Sequence, residues 1–251
     1  MRNATVPKLK PKSATLSNKQ GKQTPRKSNA AAIDADRLFA ALAADRPDPR
    51  SDLEYQDPYT LLVAVVLSAQ ATDAGVNKAT RVLFALAATP QAMVALGEDR
   101  VRDTIKTIGL FRNKAKNVIA LSQRLIDEHA GEVPRLRSAL EALPGVGRKT
   151  ANVVVNVAFG EPTIAVDTHV FRVANRTGLG PGKDPLAVEL ALEKVVPAVY
   201  LHNAHHWLIL HGRYVCVARK PLCFDCAVAE LCQFPDKTPR PVPRKPRPEK
   251  P

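Results

Sequence analysis

The nine residues from Leu143 to Ala151, Leu-Pro-Gly-Val-Gly-Arg-Lys-Thr-Ala, constrain this chain more than any other segment. Upstream of them, Leu136, Leu140 and Leu143 recur at helical spacing. Pro144 has no N–H with which to extend that helix, and Gly145 accepts the positive φ of a tight turn. From Gly147 onward, Ala151, Val154, Val155 and Ala158 fall on one helical face. The run predicts a helix, a two-glycine hairpin and a second helix. Backbone N–H groups at the hairpin and at the second helix N-terminus lack intrahelical acceptors, so they can bind a phosphate oxygen. An ordinary glycine turn between packed helices would use the same residues.

Lys149 lies in the first turn of the second helix, where its charge opposes the helix dipole. That placement, and any burial, lowers a lysine pKa. An unprotonated amine can attack a sugar carbon and form a Schiff base. A lysine that only contacts phosphate would fit the position equally. Eighteen residues on, Asp167 precedes a helical stripe that includes Val170 and Val173. It reads as an N-cap. Its carboxylate serves either the cap alone, or also cationic charge and proton transfer at a sugar.

All four cysteines fall in one short stretch, Cys216-x6-Cys223-x2-Cys226-x5-Cys232. Clustered thiols of this kind mark a metal site in a reducing compartment. A single close Cys-x2-Cys pair departs from the two pairs usual for structural zinc, and four single-file thiolates suit a [4Fe–4S] cube; both metals stay open on spacing alone. Arg219 and Lys220 lie between the first two cysteines, on a loop suited either to phosphate contact or to solvent. His205, His206 and His211 have no evident converging donors and read as packed, hydrogen-bonded core residues beside this loop.

Eleven apolar stripes of helical period run through 33–44, 58–71, 77–88, 89–95, 98–105, 113–129, 136–143, 147–158, 168–177, 185–196 and 202–212. Alternating β-branched runs are scarce, so the fold reads as all-α. Residues 59–71 are apolar nearly all round, which marks a buried central helix. No apolar run approaches the roughly 18 residues of a membrane span. The net charge of +13 is uneven: residues 1–31 carry eight Lys or Arg and no acid, and residues 233–251 contribute six against two acids. The tails thus hold 8 + 4 = 12 of the 13, leaving about +1 for 32–232. Both tails, 1–31 and 235–251, are expected to be disordered, with phosphate attraction or solubility as their roles.

Taken in order, the stretches Leu67–Asp73, Thr107–Leu110, Leu143–Ala151, Thr163–His169, His205–Arg213 and the cysteine loop resemble the endonuclease III family from about Asp34 to Phe234. The resemblance implies a bifunctional DNA glycosylase and abasic-site lyase. Lys149 would be its Schiff-base nucleophile and Asp167 the catalytic carboxylate. Cys216, Cys223, Cys226 and Cys232 would hold a [4Fe–4S] cluster. Gln70 and Leu110 would fill the gap left by an extruded nucleotide, and Gly145, Gly147 and Arg148 would join Arg219 and Lys220 in binding DNA. The family also implies a six-helix domain over 51–161, and a second domain from 32–50 plus 162–234, with duplex DNA across the cleft. A monomeric, cytoplasmic, nucleoid-associated protein is expected. A monofunctional glycosylase and a noncatalytic DNA-binding protein are the competing readings; Lys149 and the short C-terminal tail argue against the first.

Overall fold

A computed structural model describes residues 33–241. Among them are eleven α-helices and a short 3-10 turn, with no β-strand. In chain order these are α1 (Ala35–Asp45), α2 (Pro58–Ser68), α3 (Asp73–Leu86), α4 (Pro90–Leu96), α5 (Glu98–Thr104), α6 (Phe111–His129) and α7 (Arg137–Glu141). Then follow α8 (Arg148–Phe159), α9 (Thr168–Thr177), α10 (Pro185–Val195) and α11 (Leu201–Tyr214). Each predicted stripe becomes a helix. Asp34, Asp57, Thr72, Thr89, Asp167 and Asp184 cap six of them by accepting a first-turn N–H, each cap contributing about 1 kcal/mol.

Several boundaries differ from the periodicity. The stripe through 58–71 stops at Ser68, because Gln70 adopts a left-handed φ of 53° that a right-handed helix cannot contain. Thr72 then caps a helix that begins at Asp73 rather than at residue 77. The helix before the hairpin is also shorter, five residues against the predicted eight.

Two apolar cores form. The first gathers buried residues of α2 to α8, including Leu62, Leu83, Met93, Leu121 and Val154. The second joins α1 to α9, α10 and α11 through Phe39, Val173, Leu192 and Leu208. Phe39 stacks on Tyr200 at 5.7 Å, and Trp207 Nε1 donates to Arg46 O at 2.8 Å, which ties α1 to the far end of the chain. Helix α2 is buried from Tyr59 to Leu67, as its uniform apolarity predicts. A small cluster of Leu61, Val65, Val153 and Ala165 is shared between α2, α8 and the approach to α9.

The expected disorder of 1–31 and of 242–251 lies outside the described residues. Within 235–241, Lys237 Nζ donates to Ala229 O at 2.7 Å and Arg240 lies 5.8 Å from the Phe224 ring. Long cationic side chains here find local carbonyl and ring partners on the cysteine loop. Among the described residues no single helix is long and apolar enough to cross a membrane.

Candidate active site and cysteine loop

The hairpin forms as its residues dictate. Gly145 has φ of 77°, and Val146 N donates to Leu143 O at 3.1 Å to close the turn. A Cβ on Gly145 would meet Asn117 Nδ2 at 2.7 Å, so both its φ and its surroundings demand glycine. Gly147 is different: a Cβ there would touch nothing within 4 Å. It is the N-cap of α8 and supplies no side-chain cap, which leaves the first-turn N–H groups of that helix facing outward beside open space.

Lys149, the second residue of α8, lines a cleft of about 390 Å³ together with Gln70, Asp73, Asp167, His205 and Arg213. Burial lowers its pKa from 10.5; Asp167 and then Asp73 oppose that shift, while Arg213 adds to it. Asp167 caps α9, and its Oδ1 accepts from both His169 N and Val170 N at 2.8 Å. Both cap bonds fall on one oxygen, so Oδ2 is not needed for the cap. The structure thus brings Lys149 and Asp167 to one cleft from two different cores.

Several cleft residues have no assigned role in the sequence. Arg213 of α11 pairs with Asp73 at the start of α3 and with Asp52, the latter at 2.8 Å. Their signal was proximity to motifs, Asp73 ending the Leu67–Asp73 stretch, but no local rule pairs residues 140 positions apart. His205 is buried with Nδ1 2.7 Å from Ala165 O, and burial holds its pKa well below 6.5, so it borders the amine as a neutral ring.

Gln70 and Leu110 both take left-handed φ angles, 53° and 58°, although neither is glycine. Their turns adjoin, since a Cβ on the neighbouring Gly109 would sit 3.5 Å from Gln70 O. Both side chains are exposed, Leu110 at 54%. Paired strained turns carrying exposed side chains at a cleft edge are the kind of feature that clusters at working sites. Arg219 and Lys220 are exposed on the cysteine loop and do not line the cleft. Arg148 has a partner that the sequence did not indicate. Its guanidinium is engaged by Glu189, at 2.8 Å, because α10 presents a buried carboxylate beside the hairpin.

The four cysteines are free, half-buried and line one small cavity with His211. Among the described residues no three His, Cys, Asp or Glu converge tightly enough for a single metal ion. Arg176 of α9 holds the loop, donating to Val217 O at 2.8 Å, Ala218 O at 2.9 Å and Cys216 Sγ at 3.5 Å. His211 Nε2 lies 3.6 Å from Cys226 Sγ. Burial pushes the Cys226 thiol up to about 11, a penalty on the thiolate that a bound cationic centre would reverse.

Residues 63–198 match the HhH-GPD superfamily of base excision DNA repair proteins. Endonuclease III of Haemophilus influenzae is 58% identical over 200 residues, which span 80% of this chain and 95% of that protein. Endonuclease III of Escherichia coli is 56% identical over the same extent. A trapped endonuclease III–DNA covalent intermediate superposes with a TM-score of 0.75 at 47% identity, covering 80% of this chain and 96% of the other. A thermostable thymine-DNA glycosylase superposes at 0.70 with 27% identity, covering 80% of this chain and 94% of its own. With motif order, fold and similarity in agreement over the whole helical region, the chain belongs to the endonuclease III family.

Proposed function

We propose that this protein repairs duplex DNA by removing damaged pyrimidines and cleaving the resulting abasic site through Lys149. The observation that carries this reading is a half-buried amine of lowered pKa, in one cleft with a carboxylate, beside an uncapped helix N-terminus behind a two-glycine hairpin. The hairpin N–H groups bind backbone phosphate and set the strand in register. An extruded nucleotide enters the cleft, and Gln70 and Leu110 fill the space it leaves in the stack. Unstacking costs a few kcal/mol, least where pairing is already weak, which favours damaged bases. The Lys149 Nζ lone pair attacks C1′ of the deoxyribose. The base leaves with the electron pair of its bond to C1′ and takes up a proton, and the new C1′ ammonium loses a proton. The nitrogen lone pair then expels the ring oxygen O4′, which takes up a proton, and leaves a protonated imine at C1′. Asp167 stabilises the cationic sugar and accepts a proton. Loss of a proton from C2′ then expels the 3′ phosphate oxygen and breaks the strand. Water hydrolyses the imine and restores the amine.

In this reading the two cores act as two domains, 51–161 and 32–50 plus 162–234, with the cleft between them. Arg219 and Lys220 add phosphate contacts from the cysteine loop, and nucleoid association follows from the substrate. We also infer that Cys216, Cys223, Cys226 and Cys232 hold a [4Fe–4S] cluster. Four thiols that share a cavity without converging on a point suit a body larger than one ion. That group would supply a rigid crosslink between the loop and the helix ends around it. Roughly four irons per chain in anaerobically purified protein are expected; stoichiometric zinc without iron would refute the assignment.

Borohydride reduction tests the main reading. A protein–DNA adduct should form on abasic-site duplex and be lost in Lys149→Met, while the variant still binds DNA. Adduct formation by the variant would remove Lys149 as nucleophile. Strand cleavage with no adduct in the unaltered protein would point instead to water as the attacking group.

A further inference from the structure

Arg148 does not share the cleft with its neighbour Lys149. Its Nη2 donates to Glu189 Oε1 at 2.8 Å, and its Nε lies 3.1 Å from both Glu189 oxygens. Arg137, at the start of α7, approaches the same Oε1 at 3.7 Å and donates to Asn152 Oδ1 at 3.5 Å. The Glu189 side chain is 4% exposed. A carboxylate so far from water is costly to leave without its cationic partners. Glu189 lies on α10, whose apolar face belongs to the second core, whereas α7 and α8 belong to the first. The ion cluster therefore ties the cores together one residue from the amine. Lys149 borders two depressions: the cleft holding Asp167, and a groove lined by Arg148, Glu189, Asp184 and Leu186. Across the cleft, Arg213 makes a second tie between cores through Asp73 and Asp52.

We propose that Glu189, with Arg148 and Arg137, is a positioning cluster that fixes the N-terminus of α8 against α10 and so sets the separation of Lys149 from Asp167. The inference rests on Lys149 being the attacking amine. Helix α10 packs on α9, whose N-cap is Asp167, so the cluster connects the supports of both groups. A guanidinium fork on a carboxylate restricts direction as well as distance, which a lysine ammonium does not. Attack geometry is sensitive at that level, since a displacement of about 1 Å can lower a rate on the order of a hundredfold. Arg148 so engaged has its charge neutralised within the protein and acts as a positioning residue.

Arg148→Lys keeps a cation on a part-exposed side chain and should fold. In single-turnover reactions at saturating abasic-site DNA, its borohydride-trapped adduct should form about ten- to a hundredfold more slowly. DNA affinity should stay near that of the unaltered protein, and amide hydrogen exchange over 145–152 of the free protein should quicken. Glu189→Gln should act in the same direction. Exchanging the partners, Arg148→Glu with Glu189→Arg, should recover much of the trapping rate and the protection. Unchanged trapping and exchange in Arg148→Lys would overturn the proposal. So would an exchanged pair that loses DNA affinity as fully as Arg148→Glu alone, since Arg148 would then be a phosphate contact. If the unaltered protein forms no adduct, the proposed function fails, and the exchange measurement still decides whether the cluster holds α8.

Discussion

Lys149 is poorly suited to be an ammonium where it stands: burial opposes its charge, and the α8 N-terminus presents the positive end of a dipole. With its folded pKa below the unfolded 10.5, the native state binds fewer protons than the unfolded chain. The resulting penalty is fully present below the folded pKa and is relieved as pH rises toward 10.5. Lys149→Met should therefore raise Tm at pH 7 while abolishing adduct formation, with the gain shrinking at pH 10. Paired thermal melts check this, and a lower Tm at pH 7 would contradict it. The same direction makes lyase activity climb with pH and level off before 10.5. Asp167 raises the Lys149 pKa, so Asp167→Asn should shift that ascending limb to lower pH. Its plateau should nonetheless fall by about 10²–10⁴-fold, because the electrostatic support is gone. Asparagine caps about as well as aspartate, so the α9 terminus should survive and Tm change little. A limb that moves up, or an unchanged plateau, would reduce Asp167 to its capping role.

At the level of elements, the hairpin separates two kinds of glycine. Gly145 is required by the fold, since Ala there would combine a φ of 77° with a Cβ pressed on Asn117. Gly145→Ala should cost about 1–3 kcal/mol of stability. Gly147 has an ordinary negative φ of −97° and open space where a Cβ would go. Gly147→Ala should leave stability within about 0.5 kcal/mol and still weaken DNA binding, because only a ligand approaching that backbone would meet the methyl. Chemical denaturation and fluorescence-anisotropy titration of both variants distinguish the cases; equal DNA affinity for Gly147→Ala and the parent would place the phosphate elsewhere. Helix α9 shows how one element can serve two sites, with Asp167 at its start and Arg176 anchoring the cysteine loop near its end.

For the whole molecule, charge and chemistry are divided. The helical region is nearly neutral at about +1, and the cleft draws its cations from local placement, whereas residues 1–31 carry eight Lys or Arg. Those residues lie outside the described part of the chain, yet their composition makes a prediction. Each DNA phosphate neutralised steepens the log–log salt dependence of binding by about 0.9. If two or three of the N-terminal cations engage, deleting 1–31 should make that slope shallower by roughly two. Single-turnover cleavage of saturated complex should not change, because Lys149 and Asp167 lie in the helical region. Binding isotherms over a salt series check this, and identical slopes would mean that the segment does not touch DNA.

Periodicity alone determined that eleven helices form among the described residues, that α2 is buried, and that a hairpin interrupts the chain at Pro144–Gly145. It also determined that Asp167 caps a helix. These features rest on interactions spanning about four residues: backbone hydrogen bonds, first-turn caps and the φ that a glycine permits. Motif order added Lys149 and the four cysteines. Gln70 entered the sequence reading through family resemblance, but not as the break that ends α2, because no local rule assigns a left-handed φ to a glutamine. Nothing in the sequence signals that Arg148 pairs with Glu189, 41 residues away, or that Arg213 reaches Asp73 across 140. Those pairings exist only once two apolar cores have packed and brought distant side chains side by side. Local chemistry specifies each element and its ends; which buried charge meets which partner is decided by how the cores come together.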